Sequence, residues 1–184
     1  MKQVQVCIVG GGCVGLTLAL GLAKANVSVV VLDAAPTQAP PSDDYGLRVS
    51  ALSIASQTLL EQLNVWPHII AERACAYTHM DVRDADSFGK ITFNNEQLEL
   101  EHLGHIVENS NIRNGLIKAA KAQSLITLKF ETEITAIHNN DEQVVLTLVD
   151  GGADANSLVM AKLAIAADGA QSWVKKQLKS TTTF

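Results

Sequence analysis

Between residues 4 and 33 the sequence reads VQVCIVGGGCVGLTLALGLAKANVSVVVLD, and no other stretch restricts the fold as tightly. Val4 to Val9 is a short β-branched run, the signature of a buried parallel strand. Leu16 to Ala25 is rich in leucine and alanine and predicts a helix, with Asn26 as a left-handed stop. Val27 to Leu32 is a second buried strand that ends in Asp33. Glycines at 10, 12 and 15 give G-x-G-x-x-G between the first strand and the helix. In a dinucleotide site Gly10 permits the turn out of the strand, Gly12 lets the backbone approach a pyrophosphate, and Gly15 lets the helix pack on the sheet. The helix N-terminus presents N–H groups and a positive dipole end to phosphate. Asp33, 18 residues beyond Gly15, stands where a carboxylate can accept hydrogen bonds from a ribose. An acid there disfavours a 2′-phosphate, which leaves FAD and NAD.

The remainder is less regular. Residues 34–47 hold three of the four prolines and read as a surface loop ended by Arg48. SALSIASQTLLEQLNVW follows with helical spacing at Leu52, Leu59, Leu60 and Leu63; Ser53 is its N-cap and Asn64 its stop. THMDVRDADSFGKITFNN predicts a hairpin of two short strands, and Asn109 or Ser110 caps a helix running to about Gln123. ITLKF is a third parallel strand. EITAIHN, QVVLTLVD and LVMAKLAIAAD then form an antiparallel meander with turns at Asn139-Asn140 and Asp150-Gly151-Gly152, delivering Asp168-Gly169 at its end. His102, His105 and Glu108 invite a metal reading, but their spacing is not that of a metal-binding helix, and no metal site is assigned.

Composition excludes several functions. A net charge of −5 with no basic run, and only 4% aromatic residues, argue against nucleic-acid binding. The three cysteines, Cys7, Cys13 and Cys75, form no CxxC pair and fit a reduced compartment. The apolar N-terminus resembles a signal peptide only superficially, because three glycines interrupt it, and no apolar run reaches the ~18 residues of a membrane span. A cytoplasmic location is expected.

Several segments together carry a family resemblance: VGGGCVGLTLALGL with Asp33, LRVSALSIAS, LNVW, DSFGKITF, HLGHIVENS and AADGAQSWVK. From Val4 to Leu178 the chain resembles the N-terminal half of group A FAD-dependent aromatic hydroxylases, the class with the p-hydroxybenzoate hydroxylase fold. Within it the ubiquinone-biosynthesis branch is most similar, and DSFGKITF with HLGHIVENS points to 2-polyprenylphenol hydroxylases that oxidise C5 of the ring. The resemblance implies an α/β fold: a Rossmann-like FAD-binding domain over 1–75 and 106–184, incomplete here, with an antiparallel meander, and part of a substrate-domain sheet over 76–105. It implies that Gly10, Gly12 and Gly15, with Cys13 and Val14 between them, cradle the FAD pyrophosphate, that Asp33 holds the adenosine ribose, and that Arg48 and Glu108 contact FAD. Asp168 and Gly169 match a motif linked to both FAD and NAD(P)H, although Lys175 stands where an arginine is usual and loses its bidentate fork.

The implied reaction is hydroxylation of a polyprenylated phenol using NAD(P)H and O2, and no side chain is nominated as catalytic. Peripheral contact with the inner face of the membrane, association with ubiquinone-pathway proteins and homo-oligomerisation are compatible with it. Members of the family have roughly twice this many residues, so the chain is expected to be an N-terminal fragment that lacks the last strand of the nucleotide-binding domain. Two alternatives stay open: another G-x-G-x-x-G oxidoreductase using FAD or NAD, and a cofactor-free domain serving assembly. A disulfide-type flavoprotein reductase is disfavoured, because no CxxxxC follows the first unit.

Overall fold

The computed structural model describes residues 2–37, 45–150 and 156–178. In chain order the elements begin with β1 (Lys2–Val9), α1 (Cys13–Lys24), β2 (Val29–Leu32), β3 (Val49–Ser53), α2 (Ile54–Gln62) and α3 (Trp66–Ile70). Four short strands follow, β4 (Cys75–Tyr77), β5 (His79–Arg83), β6 (Lys90–Asn94) and β7 (Gly104–Glu108), then α4 (Asn109–Lys121). The last elements are β8 (Ile126–Lys129), β9 (Thr132–Asn139), β10 (Val144–Asp150), β11 (Asn156–Ala166) and α5 (Trp173–Gln177). The chain divides into two compact units, Met1–Ala39 with Leu116–Phe184, and Pro40–Gly115.

The first unit is built on a six-stranded sheet in the order β8-β2-β1-β11-β10-β9. β8, β2, β1 and β11 run parallel, while β9, β10 and β11 form the antiparallel meander that the turn residues forecast. At the Asn139-Asn140 turn, the Asn140 side-chain oxygen accepts from the N–H groups of Glu142 and Gln143. Residues 151–155 of the next turn lie outside the described residues. β11 serves both halves of the sheet. It pairs with β1 from Val159 to Ala166 but with β10 only from Asn156 to Ala161.

Burial follows the apolar pattern. β2 is buried at every position, and α1 turns Gly15, Leu16, Ala19, Leu20 and Ala23 inward at helical spacing. One core cluster joins Cys7, Val9, Val30 and Leu32 of the parallel strands to Leu146, Leu148 and Val159 of the meander and Val174 of α5. Burial pushes the Cys7 thiol up to about 12. Asn26 and Asn64 both adopt left-handed φ, at 60° and 57°, just beyond α1 and α2, as their sequence positions suggest.

The second unit holds a three-stranded sheet, β3-β7-β4, and a separate β5–β6 ribbon. The ribbon is the expected hairpin, with Met80 opposite Phe93 and Val82 opposite Ile91. One expectation needs correction. Helical spacing was read from Leu52 onward, but α2 starts at Ile54 and Leu52 lies in β3 opposite His105. The reason is local: the Ser53 hydroxyl accepts from the Ser56 N–H and fixes the helix start there, leaving Val49–Ser53 to pair with β7. On β7, His105 packs edge-on against Trp66 and His102, with ring centroids 5.0 and 4.7 Å away. Burial, with His102 adding to it, holds the His105 imidazole below the ordinary histidine value.

Two measurements check this packing. Leu148→Ala should lower stability by about 2–5 kcal/mol, read as a lower urea midpoint at unchanged slope. The unfolded chain takes up a proton at His105 near pH 6.5, whereas the folded chain resists it. Stability should therefore decline as pH falls below about 6.5, and His105→Gln should flatten that acidic limb in melts run across pH.

Candidate functional site

β1 lies between β2 and β11, and the chain order reverses across it. In open parallel sheets, ligands bind at the carboxyl ends of strands at such a switch point. Here those ends carry Gly10 after β1, Asp33 after β2 and Asp168-Gly169 after β11, and together they wall a cavity of about 670 Å³. Val9, Gly12, Leu32, Ala34, the segment Thr132–Ile134, Ala167, Gln171 and Trp173 complete the lining.

Each wall has a local cause. The Gly10 N–H donates to the Leu32 carbonyl at 2.7 Å, and the Ala167 N–H donates to the Val9 carbonyl at 2.7 Å, so pairing of the three strands continues to their ends. Gly10 sits at φ 112°, and a Cβ there would collide with the backbone of Ala167 and Asp168. Gly15 lies so close to the Gly10 carbonyl that no side chain fits between α1 and the end of β1. A Cβ on Gly12 meets nothing within 4 Å, so its missing side chain leaves space beside the loop. Among the described residues no side chain caps α1 at Gly12, and its first turn carries no acid. A helix start of this kind suits a phosphate.

Asp33 has two functions available. Its Oδ2 accepts from the Gly11 N–H at 2.8 Å and its Oδ1 from the Ala35 N–H at 2.9 Å, which fixes the glycine loop against β2. A carboxylate offers about four acceptor positions, so these two bonds do not exhaust its capacity as an acceptor. Asp168 is asymmetric. Its Oδ2 accepts from the N–H groups of Trp173 and Val174 and so starts α5, while Oδ1 is buried without a hydrogen-bond partner. A buried acceptor of this kind calls for a donor. The open space at Gly12, the uncapped helix start and the two carboxylates fit the phosphates and hydroxyls of FAD.

The structure thus brings Gly10, Gly12, Asp33, Asp168 and Gly169 to one cavity. Cys13, Val14 and Gly15 form the first turn of α1, with Val14 exposed. Arg48 and Glu108 belong to the second unit. Arg48 is exposed, and Glu108 is buried, with its carboxylate engaged by Arg73 Nε at 2.9 Å and the Gly46 N–H at 2.7 Å. Among the described residues no three His, Cys, Asp or Glu side chains gather as a metal site. Sequence reasoning did not single out Thr132, Gln171 or Trp173 in the cavity wall, nor Arg73 and Tyr45 around Glu108. Trp173 alone had a signal, four residues past the cavity-lining Gly169 at the start of a helix capped by Ser172.

Residues 3–183 match the FAD binding domain family, FAD_binding_3. The chain belongs to that family. Its cofactor is FAD, and the fold expectation of an FAD-binding α/β domain with an antiparallel meander holds. Over 95% of its length the chain is 35% identical to 3-demethoxyubiquinol 3-hydroxylase of Escherichia coli, of which it covers 44%. It is 33% identical to ubiquinone hydroxylase UbiL of Rhodospirillum rubrum, covering 39% of that protein, and 32% identical to human ubiquinone biosynthesis monooxygenase COQ6, covering 38%. The chain therefore spans about two-fifths of the length of these relatives. Among solved structures, p-nitrophenol 4-monooxygenase PnpA from Pseudomonas putida aligns over 97% of this chain and 44% of its own, with a TM-score of 0.75 at 22% identity. The flavin-dependent monooxygenase PieE, in complex with FAD and substrate, aligns over 96% of this chain and 32% of its own at 0.77 and 20% identity. These two likenesses establish shared fold. No helix among the described residues is long and apolar enough to cross a membrane.

The thiols give a simple check on the packing around this site. Cys75 is exposed and Cys7 is buried with its pKa raised. An Ellman titration of the native protein should label Cys75 promptly and Cys7 only after denaturant is added.

Proposed function

We propose that this chain is the FAD-holding part of a longer flavin-dependent monooxygenase that hydroxylates a polyprenylated phenol ring in ubiquinone biosynthesis. The observation that carries the reading is the cavity at the switch point of the sheet. It is built from the G-x-G-x-x-G loop, Asp33 and Asp168, in a chain that matches ubiquinone-pathway hydroxylases over 95% of its length. FAD, when bound and reduced by NAD(P)H, supplies the chemistry that activates O2.

The protein's own work is to bind and orient. Backbone N–H groups around Gly12, Cys13 and Val14 at the start of α1 hold the pyrophosphate, and Gly10 and Gly15 keep that helix close enough to the sheet to do so. Asp33 holds the adenosine ribose, and Asp168, beside Gly169, accepts from a hydroxyl of the cofactor. Arg48 and Glu108 serve the flavin end. Residues 1–75 and 106–184 form the FAD-binding domain in this reading, and 76–105, with the apolar face of the β5–β6 ribbon, belong to the substrate domain. Peripheral membrane contact follows from a substrate that resides in the bilayer.

Two glycine variants separate fold from binding. Gly10→Ala forces a side chain into the Ala167 backbone and should cost about 2 kcal/mol or more of stability. Gly12→Ala projects its methyl into open space, so its denaturation midpoint should stay within about 0.5 kcal/mol of the parent. Its FAD affinity, read from the flavin absorption and fluorescence on titration, should fall at least about tenfold. Undiminished FAD binding by Gly12→Ala would mean that the phosphates do not lie against this loop.

A further inference from the structure

The carboxylate of Glu108 is one of the buried charged groups among the described residues of the second unit, and its partners are unusual. Glu108 is 8% exposed. Oε1 accepts from Arg73 Nε at 2.9 Å and Oε2 from the Gly46 backbone N–H at 2.7 Å. Arg73 in turn lies over the Tyr45 ring, 4.8 Å from its centroid. The next residue, Asn109, donates its N–H to the Arg48 carbonyl at 3.0 Å, and Val49 pairs in register with Glu108 itself. Residues 45–49 are thus held at successive points by groups on 73, 108 and 109, and Arg48 sits in the middle of them.

Two physical facts make this more than a surface ion pair. A buried carboxylate is costly without a counter-charge and full hydrogen bonding, and here it has both. Gly46 also leaves room for the carboxylate at this point: a Cβ would stand 2.9 Å from Oε2 and push it aside. The carboxylate and the bare backbone fit each other at the spot two residues before Arg48.

We infer that Glu108 is a positioning residue: paired with Arg73, it fixes the backbone that carries Arg48, and it acts on FAD through Arg48 rather than by touching the flavin. This rests on the reading that Arg48 contacts FAD, and it revises the role that the family resemblance assigns to Glu108. The Arg73–Glu108 pair is a latch on the 45–49 segment, with Tyr45 clamped by the guanidinium and Gly46 by the carboxylate.

A double-mutant cycle tests it, using FAD affinity from flavin fluorescence and thermal melts of the FAD-free protein. Glu108→Gln and Arg48→Ala should each weaken FAD by about tenfold. Combined, they should be no worse than the more severe single change, because each removes the same contact. Gly46→Ala leaves both charges in place and only displaces the carboxylate, so it should match Glu108→Gln and keeps the test informative should Glu108→Gln fold poorly. Multiplying effects, about a hundredfold in the double variant, would show that Glu108 touches the cofactor independently and would overturn the inference. So would a lowered melting temperature with FAD affinity intact, or an Arg48→Ala variant that binds FAD normally. Failure of the parent chain to bind FAD under any condition would instead sink the cofactor assignment of these residues, and this inference with it.

Discussion

The close approach of Gly15 to the Gly10 carbonyl is the constraint from which the first unit's geometry follows. α1 can lie against the end of β1 only because neither residue carries a side chain between them. That contact aims the start of the helix at the space beyond the sheet, where β2 and β11 also end. With any larger residue at 15 the helix would tilt away, and the N–H groups of its first turn would no longer converge on the cavity. Asp33 then secures the other side of the loop through the Gly11 N–H. One backbone carbonyl and one carboxylate fix the loop from opposite sides.

In the second unit a different force does the organising. The β3-β7-β4 sheet is small and its strands are short, so side-chain polarity contributes more of the order. Asn111 donates to the carbonyls of Ile69 and Arg73, closing the end of α3 and the segment that bears Arg73. Arg73 then meets Glu108, and His105 is wedged between Trp66 and His102. Buried polar groups of this kind specify one arrangement because each leaves a penalty if its partner moves.

What the sequence revealed was whatever chemistry enforces at short range. The glycine loop, Asp33 and the two asparagine stops are read locally, because each requires a particular backbone conformation or a fixed spacing. The meander and the hairpin were legible from turn residues between β-branched runs. β3 was not, because five residues running straight into an N-capped helix share its apolar spacing, and only pairing with β7 declares them a strand. Arg73 and Glu108 lie 35 positions apart, and nothing near either announces the other. Thr132 enters the cavity wall through the turn that joins β8 to β9, a matter of where two strands end rather than of any motif.

β11 belongs to two architectures at once. Its first six residues, Asn156 to Ala161, are stitched antiparallel to β10, while Val159 to Ala166 run parallel to β1 and lead directly into Asp168. The meander is therefore more than an appendage on the edge of a nucleotide-binding sheet. It is the anchored end of a rail whose other end carries Asp168 into the cavity wall. The register between β1 and β11 sets how far that rail extends, and a slip of one residue there would withdraw Asp168 from the cavity by a strand step of about 3.3 Å. Side chains of the meander that lie away from the cavity thereby help to hold the strand that delivers one of its walls.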